Sequence, residues 1–431
     1  MSAGAEHALL LSREDGRIAA VLRACYRYGL SSLGPVAVSA AHFVASLIFL
    51  RMLRPEEFGR FSFLLIVVPF CLSATGALLG APASLTRGKE ESVARREIVT
   101  LQKASLIVSL VAGAVVAALM ASTGSAAAAV LWFGAYGAAS TLRSFARNLA
   151  NVHGRIERTA GSDIFYAVLL VAGLAGLVAA RDLTMPHAAV VLALAAALAL
   201  VPFGRDYAAG LLRSAGTVAL AGYRPMWRDV TRWSLLGVVL TELASNAHAY
   251  LVTFVAGPGA FGLLALGALF MRPASLVLSA LPDIDQPVMT RRLATGDVKG
   301  AFRVVNEFRT AAGAVLAATI VLSVALVIWF PHLLLRKNYG GAEVMGVLAL
   351  WIAITAVRAW RTPESVFVQA TGNYPALARI SGVAGIAALA LTAVLLCVFG
   401  PVASLGGVLA GEIVIVAMLY PITRPWRRQI A

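Results

Sequence analysis

Charge is what this sequence has least of. Asp, Glu, Lys and Arg make up 13% of its 431 residues, while 60% are hydrophobic. A water-soluble chain carries roughly a quarter charged residues, so most of this one needs another solvent. Cysteine is nearly missing. Cys25, Cys71 and Cys397 stand far apart with no C-x-x-C spacing, which excludes a disulfide framework and a zinc site. No G-x-x-x-x-G-K-[ST] phosphate loop and no H-E-x-x-H occurs, so neither ATP hydrolysis at a P-loop nor zincin chemistry is expected, and no metal or cofactor is implied. Residues 1–30 carry Arg13, Arg17, Arg23 and Arg27 but no clean apolar core before a cleavage site, so no removable signal peptide is read there.

What remains is apolar sequence in long pieces. Runs at 31–53, 60–80, 104–121, 125–142, 163–180, 187–203, 234–256, 260–281, 308–330, 344–370, 375–398 and 401–421 have the length that crosses a bilayer core. The reading is an all-α integral membrane protein with about 12 transmembrane helices. The net charge of +15 would suit nucleic acid, but the basic residues form no continuous face and recur between the runs. They orient the chain instead. With both ends inside, alternate connections carry nearly all the Lys and Arg, and the outer loops hold only Arg51, Arg54, Arg60, Arg181, Arg336 and Lys337. This places both termini in the cytoplasm of a multi-pass plasma-membrane protein.

The longest inner connection, 204–233, divides the chain into an N-terminal six-helix bundle (31–203) and a C-terminal one (234–421), with cytoplasmic segments at 1–30 and 422–431. The halves carry a shared pattern. Pro55-Glu-Glu-Phe58-Gly59 and Pro258-Gly-Ala-Phe261-Gly262 are both P-x-x-F-G, and at the same offset Ser31, Leu33 and Gly34 align with Ser234, Leu236 and Gly237. A repeated hairpin with a Pro–Gly corner accounts for this. Six-helix repeats of like orientation are a transporter pattern.

Ionisable groups inside spans are costly and normally face a cavity or a partner. In the seventh span Glu242, Ser245, Asn246 and Thr253 fall near one helical face, flanked by His248 and Tyr250. That face either packs by interhelical hydrogen bonds or lines a cavity; Glu242, Asn246 and His248 are the cavity candidates. Arg272, before Pro273, sits in the middle of the eighth span and faces either a cavity or an ion-pair partner such as Glu242. In the tenth span Arg358 and Arg361 share a face ahead of Glu364. Either Pro363 breaks the span and these are surface arginines, or the helix runs on to Thr371 and both point inward. Asp283-Ile-Asp285 matches the D-x-D of sugar-nucleotide transferases, but no extramembrane domain exists to hold a nucleotide, and a helix end is the simpler account. His42 is read as a packing or hydrogen-bonding histidine.

Leu50-Arg-Met-Leu-Arg-Pro-Glu-Glu-Phe-Gly-Arg-Phe-Ser-Phe63 resembles the first hairpin of bacterial polysaccharide (O-antigen type) flippases, of the multidrug/oligosaccharidyl-lipid/polysaccharide exporter superfamily. Leu335-Arg-Lys-Asn-Tyr339-Gly-Gly-Ala-Glu-Val344 is similar to that family's outer loop before the tenth span, although the tyrosine stands in an unusual Asn-Tyr-Gly-Gly context. Gln369-Ala-Thr-Gly372-Asn373 is similar to its small-residue turn between spans ten and eleven. The resemblance implies a flippase, not an enzyme, that moves undecaprenyl-pyrophosphate-linked oligosaccharides to the outer leaflet by alternating access, with a cationic cavity for the pyrophosphate. Arg272, Arg358 and Arg361 would line it, Arg143 and Arg147 would guide the headgroup, and Glu242 would be the coupling carboxylate. Implied partners are the lipid-linked oligosaccharide, the bilayer, and a glycan polymerase and glycosyltransferases, with no nucleic acid. Two rivals remain. Multidrug exporters of the superfamily share the architecture but want carboxylates for cations. A membrane polymerase or ligase would want a long catalytic outer loop.

Overall fold

The structure is a computed structural model that describes residues 33–86, 89–217, 220–329 and 341–428. The N-terminal segment with Cys25 and Ser31, and the outer loop around Tyr339, lie outside those residues. Secondary structure among the described residues is helical. The helices are α1 (Leu33–Met52), α2 (Pro55–Thr75, continued by a π turn and a short helix to Ser84), α3 (Glu91–Ser122), α4 (Ala127–Val152), α5 (Ile156–Ala179), α6 (Met185–Leu198) and the connector helix α7 (Arg205–Thr217). There follow α8 (Arg232–Val255), α9 (Pro258–Phe270), α10 (Arg272–Ala294), α11 (Val298–Trp329), α12 (Gly341–Ala370), α13 (Tyr374–Phe399) and α14 (Pro401–Arg428).

Nine of these helices are long and apolar enough to cross a membrane, and two further spans arise if each of two bent helix pairs counts as one. α4 has the length, 26 residues, but Ser140, Thr141, Arg143 and Arg147 dilute its apolar window. Every one of the twelve expected spans thus coincides with a helix or a bent pair. The protein is an all-α, multi-pass membrane protein.

Local chemistry sets the helix ends. Pro55 opens α2 where an N–H would be unsatisfied anyway, and Glu57 accepts the Arg54 backbone N–H at 3.0 Å, half of a capping box. Gly257 at φ 89° and Gly400 at φ 86° each precede a proline that opens the next helix. Only glycine takes that backbone cheaply, so these Gly-Pro pairs stop one helix and start another within two residues. The P-x-x-F-G motifs are therefore first turns of helices, and the corner lies just ahead of each.

The chain divides into two compact units. One takes the described residues up to Ala45 with Cys71–Ala118 and Ala126–Ser234; the other takes Ser46–Phe70, Leu119–Ser125 and Leu235–Ala431. Residues 46–70 count with the second because the two P-x-x-F-G turns pack on each other inside it. A side chain on Gly59 would collide with the Pro258 carbonyl, and one on Gly262 would meet the Pro55 carbonyl at 2.9 Å. The contact is reciprocal, motif to motif. Gly34 does not share that symmetry with its aligned partner: Gly34 abuts Asp163, whereas Gly237 faces open space.

Two sequence expectations change, and one open alternative is decided. The eighth span is two helices, α9 and α10, meeting at Met271 with a 62° bend, so Arg272 stands at the start of a helix and not in the middle of one. Pro273 in the first turn of α10 explains the break, since it has no N–H to give to the preceding turn. The tenth span is unbroken, α12 running through Pro363 to Ala370. Asp283 and Asp285 lie within α10, which continues to Ala294, so they mark no helix end.

Candidate functional site

Within the second unit the bend at Met271 helps to open a cavity of about 200 Å³. Arg272, Asn246 and His248 line it with Ser62, among apolar side chains such as Phe58 and Trp351. Three expected residues therefore come together, from α8 and α10. No carboxylate lines this cavity, and Arg272 has no ion pair among the described residues. His248 is buried, its ring edge-on to Trp351 at 6.0 Å. Trp351 is itself pinned by donating its indole N–H to the Leu264 carbonyl at 2.8 Å. The polar wall is held rigid from behind.

Glu242 does not reach Arg272. It accepts from Asn246 Nδ2 and from the Tyr250 hydroxyl, each at 3.0 Å, so one face of α8 is a chain of hydrogen bonds at i, i+4 and i+8. Ser245 falls outside that chain and lines a second cavity, of about 220 Å³, with Arg361 and Glu412.

Arg358 and Arg361 face inward, as the unbroken reading of α12 requires. Both are paired. Arg358 Nε contacts Glu412 Oε1 at 2.6 Å and Arg361 Nε contacts Glu412 Oε2. A further pair, Arg309 to Glu364 at 2.7 Å, is covered by Trp360 beneath the guanidinium. Glu364 was noted in the sequence only as following the two arginines, and Glu412 escaped it, though Glu412 lies within the twelfth expected span and the rule that selected Glu242 applies to it equally.

Arg143 and Arg147, one turn apart on α4, are in the first unit. Asp163 on α5 binds both, at 2.8 and 3.0 Å. Its side chain is wholly buried, and Gly34 supplies the room, since a side chain there would stand 2.5 Å from Asp163 Oδ2. Arg143 lies over the Tyr166 ring at 4.5 Å; the Tyr166 hydroxyl meets Tyr136 at 3.1 Å and His42 Nε2 at 2.8 Å. His42 is a hydrogen-bonding histidine, as expected, and belongs to a buried polar relay across α1, α4 and α5. Outside the spans, Tyr207 on the connector helix donates to the Leu142 carbonyl at 3.4 Å, and burial pushes its phenol further up, which keeps the proton in place.

No protein-family profile and no curated protein sequence matches this chain. Solved structures share its fold. A lipid II flippase, MurJ, in an inward closed conformation superposes with a TM-score of 0.70 at 11% identity, over 92% of this chain and 87% of that one. An inward-facing multidrug resistance MATE family transporter of the MOP superfamily gives 0.66 at 13% identity, over 93% and 100%. A MATE transporter from Vibrio cholerae gives 0.56 at 13% identity, over 93% and 96%.

Proposed function

We propose that the protein is a flippase that carries undecaprenyl-pyrophosphate-linked oligosaccharides from the inner to the outer leaflet of a bacterial plasma membrane, for surface polysaccharide synthesis. The observation that carries the reading is the cavity at the break between α9 and α10. Its charged group is Arg272, with no carboxylate in the lining. A broken helix lining a cavity is the usual way that irregular backbone is tolerated at membrane depth. A lone guanidinium there is costly to insert and favours an anion. The first-hairpin resemblance and the fold shared with a lipid II flippase support the same class.

The physical task is to replace solvation. A pyrophosphate cannot cross about 30 Å of hydrocarbon bare, because burying its uncompensated charge costs many kcal/mol. Arg272, Asn246 and the hydroxyl of Ser62 supply donors, while the prenyl tail stays in lipid. The multidrug reading shares the fold, but cations would meet a wall whose charge has the wrong sign. The MATE likeness therefore supports architecture more than substrate.

The test is leaflet accessibility. In a deletion strain the complete lipid-linked repeat unit should accumulate unaltered and protected from an outside-only lectin or glycosidase. Its exposure in the outer leaflet would place the lesion after flipping, at a polymerase, and overturn the assignment. Unperturbed surface glycan would point to the multidrug reading.

A further inference from the structure

Arg358 and Arg361 are awkward for a substrate site, because a carboxylate already occupies them. Glu412 turns one oxygen to each guanidinium, through Arg358 Nε and Arg361 Nε. Its side chain is 7% exposed, while the arginines retain 29% and 23%. Two positive charges and one negative leave a surplus of one positive charge within the spans.

The space beside this cluster is unusual. The cavity of about 220 Å³ has Glu412 and Arg361 in its wall, together with the hydroxyl-bearing Thr241, Ser245 and Ser381 and the small residues Ala384 and Gly411. A glutamate has the reach to swing from its arginines toward those hydroxyls. Asp163 in the first unit has no such freedom: it is shorter, wholly buried, and closed over by Gly34.

We propose that Glu412 is an internal stand-in for the substrate's diphosphate, holding Arg358 and Arg361 until phosphate oxygens displace it into the neighbouring cavity. The proposal rests on the flippase reading and adds a second pair of arginines that hold the diphosphate, the carboxylate they give up for it, and the order of events. Two bare guanidiniums one turn apart would repel each other and pay heavily for burial. A resident carboxylate removes that cost in the substrate-free state. Loading then becomes an exchange of anions, which tempers affinity so that the headgroup can leave again. The exchange also selects. A neutral lipid cannot displace Glu412, a monoanion merely replaces one charge by another, and a diphosphate brings more charge and enough oxygens for both planar forks.

The experiment titrates the purified full-length protein with inorganic pyrophosphate, using orthophosphate as comparator. Wild type should prefer pyrophosphate by about tenfold, and Glu412→Gln should bind pyrophosphate about tenfold tighter still while turning over more slowly in reconstituted vesicles. Arg358→Ala with Arg361→Ala should abolish the tightening seen in Glu412→Gln and the preference for pyrophosphate, leaving only the weaker binding that Arg272 supplies. A prenyl diphosphate should compete with pyrophosphate; failure to compete would confine the site to free anions and overturn the headgroup assignment. Unchanged or weaker binding in Glu412→Gln, or no binding in any form, would make Glu412 a fixed structural counter-ion. Should Glu412→Gln not accumulate as folded protein, Glu412→Asp, too short to satisfy both guanidiniums, should shift affinity the same way by a smaller factor. These outcomes are independent of the leaflet assay. A protein that flips normally with an inert Glu412 keeps the function and loses the exchange; tight pyrophosphate exchange without flipping does the reverse.

Discussion

Each unit buries two arginines one helical turn apart against one carboxylate, yet the two clusters are built for different ends. Arg143 and Arg147 meet Asp163 on the next helix in the chain, with Arg143 only 5% exposed and Gly34 pressed against the acid. Arg358 and Arg361 meet Glu412 two helices onward, and a cavity adjoins the acid. In the first cluster the acid and Arg143 are closed off by packing, although Arg147 keeps 27% of its side chain exposed, and the Tyr166, Tyr136 and His42 relay extends it. The second is half open. The same charge count therefore gives a fixed structural bond in one place and a replaceable one in the other, and burial, length of the acid and adjacent volume make the difference.

Asp163→Ala is the sharpest way to break the comparison. It leaves two guanidiniums without their buried partner, a loss worth roughly 3–5 kcal/mol, and should strip folded protein from the membrane. Thermal unfolding in detergent measures it, beside Glu412→Gln, which should lose much less because its arginines keep access to the cavity. Equal losses would mean that the clusters do not differ in kind.

Arg272→Ala acts on function. A charged hydrogen bond to phosphate is worth roughly 1.5–3 kcal/mol, so glycan export should fall roughly tenfold to hundredfold at normal protein levels. Arg272→Lys should be only partly tolerated, since Lys lacks the planar fork. Full export from the Ala variant would remove the cavity from the transport path.

Gly34→Ala sharpens the contrast by overpacking the sealed cluster, at roughly 1–3 kcal/mol. Its aligned partner Gly237 faces open space. Gly237→Ala should be neutral to slightly stabilising, as Ala is the better helix former. Matching unfolding temperatures for the two would contradict the packing around Asp163. The smallest effect belongs to Arg228→Ala, which removes an exposed pair with Asp229 outside both clusters. No measurable change in unfolding temperature is expected.

Several elements were legible beforehand. The apolar runs specify helices whatever their neighbours, and Pro401 stood at the start of its expected span; Pro55 and Pro258, read as hairpin corners, open helices instead because proline's missing N–H costs nothing there. The P-x-x-F-G repeat was visible as pattern, though not as a contact. Arg272, Asn246 and His248 were selected by the cost of polar groups at depth, and they do share a cavity. Pro273 was left inside an unbroken eighth span and breaks it, whereas Pro363, the proline weighed as a breaker, lies within a continuous α12. Proline's effect depends on whether neighbouring groups absorb the lost hydrogen bond, and that information is not local.

The sequence alone determined the solvent, the number of crossings and which charges would be expensive, because those follow from composition, run length and the missing water of a bilayer. Pairing was left to the tertiary structure. Asp163 lies 16 residues beyond Arg147 and Glu412 lies 51 beyond Arg361, and neither spacing reveals which acid neutralises which base. Electrostatic partnership depends on distance in three dimensions and on the volume left beside the pair. Only packed helices could decide that Asp163 is locked while Glu412 has somewhere to go.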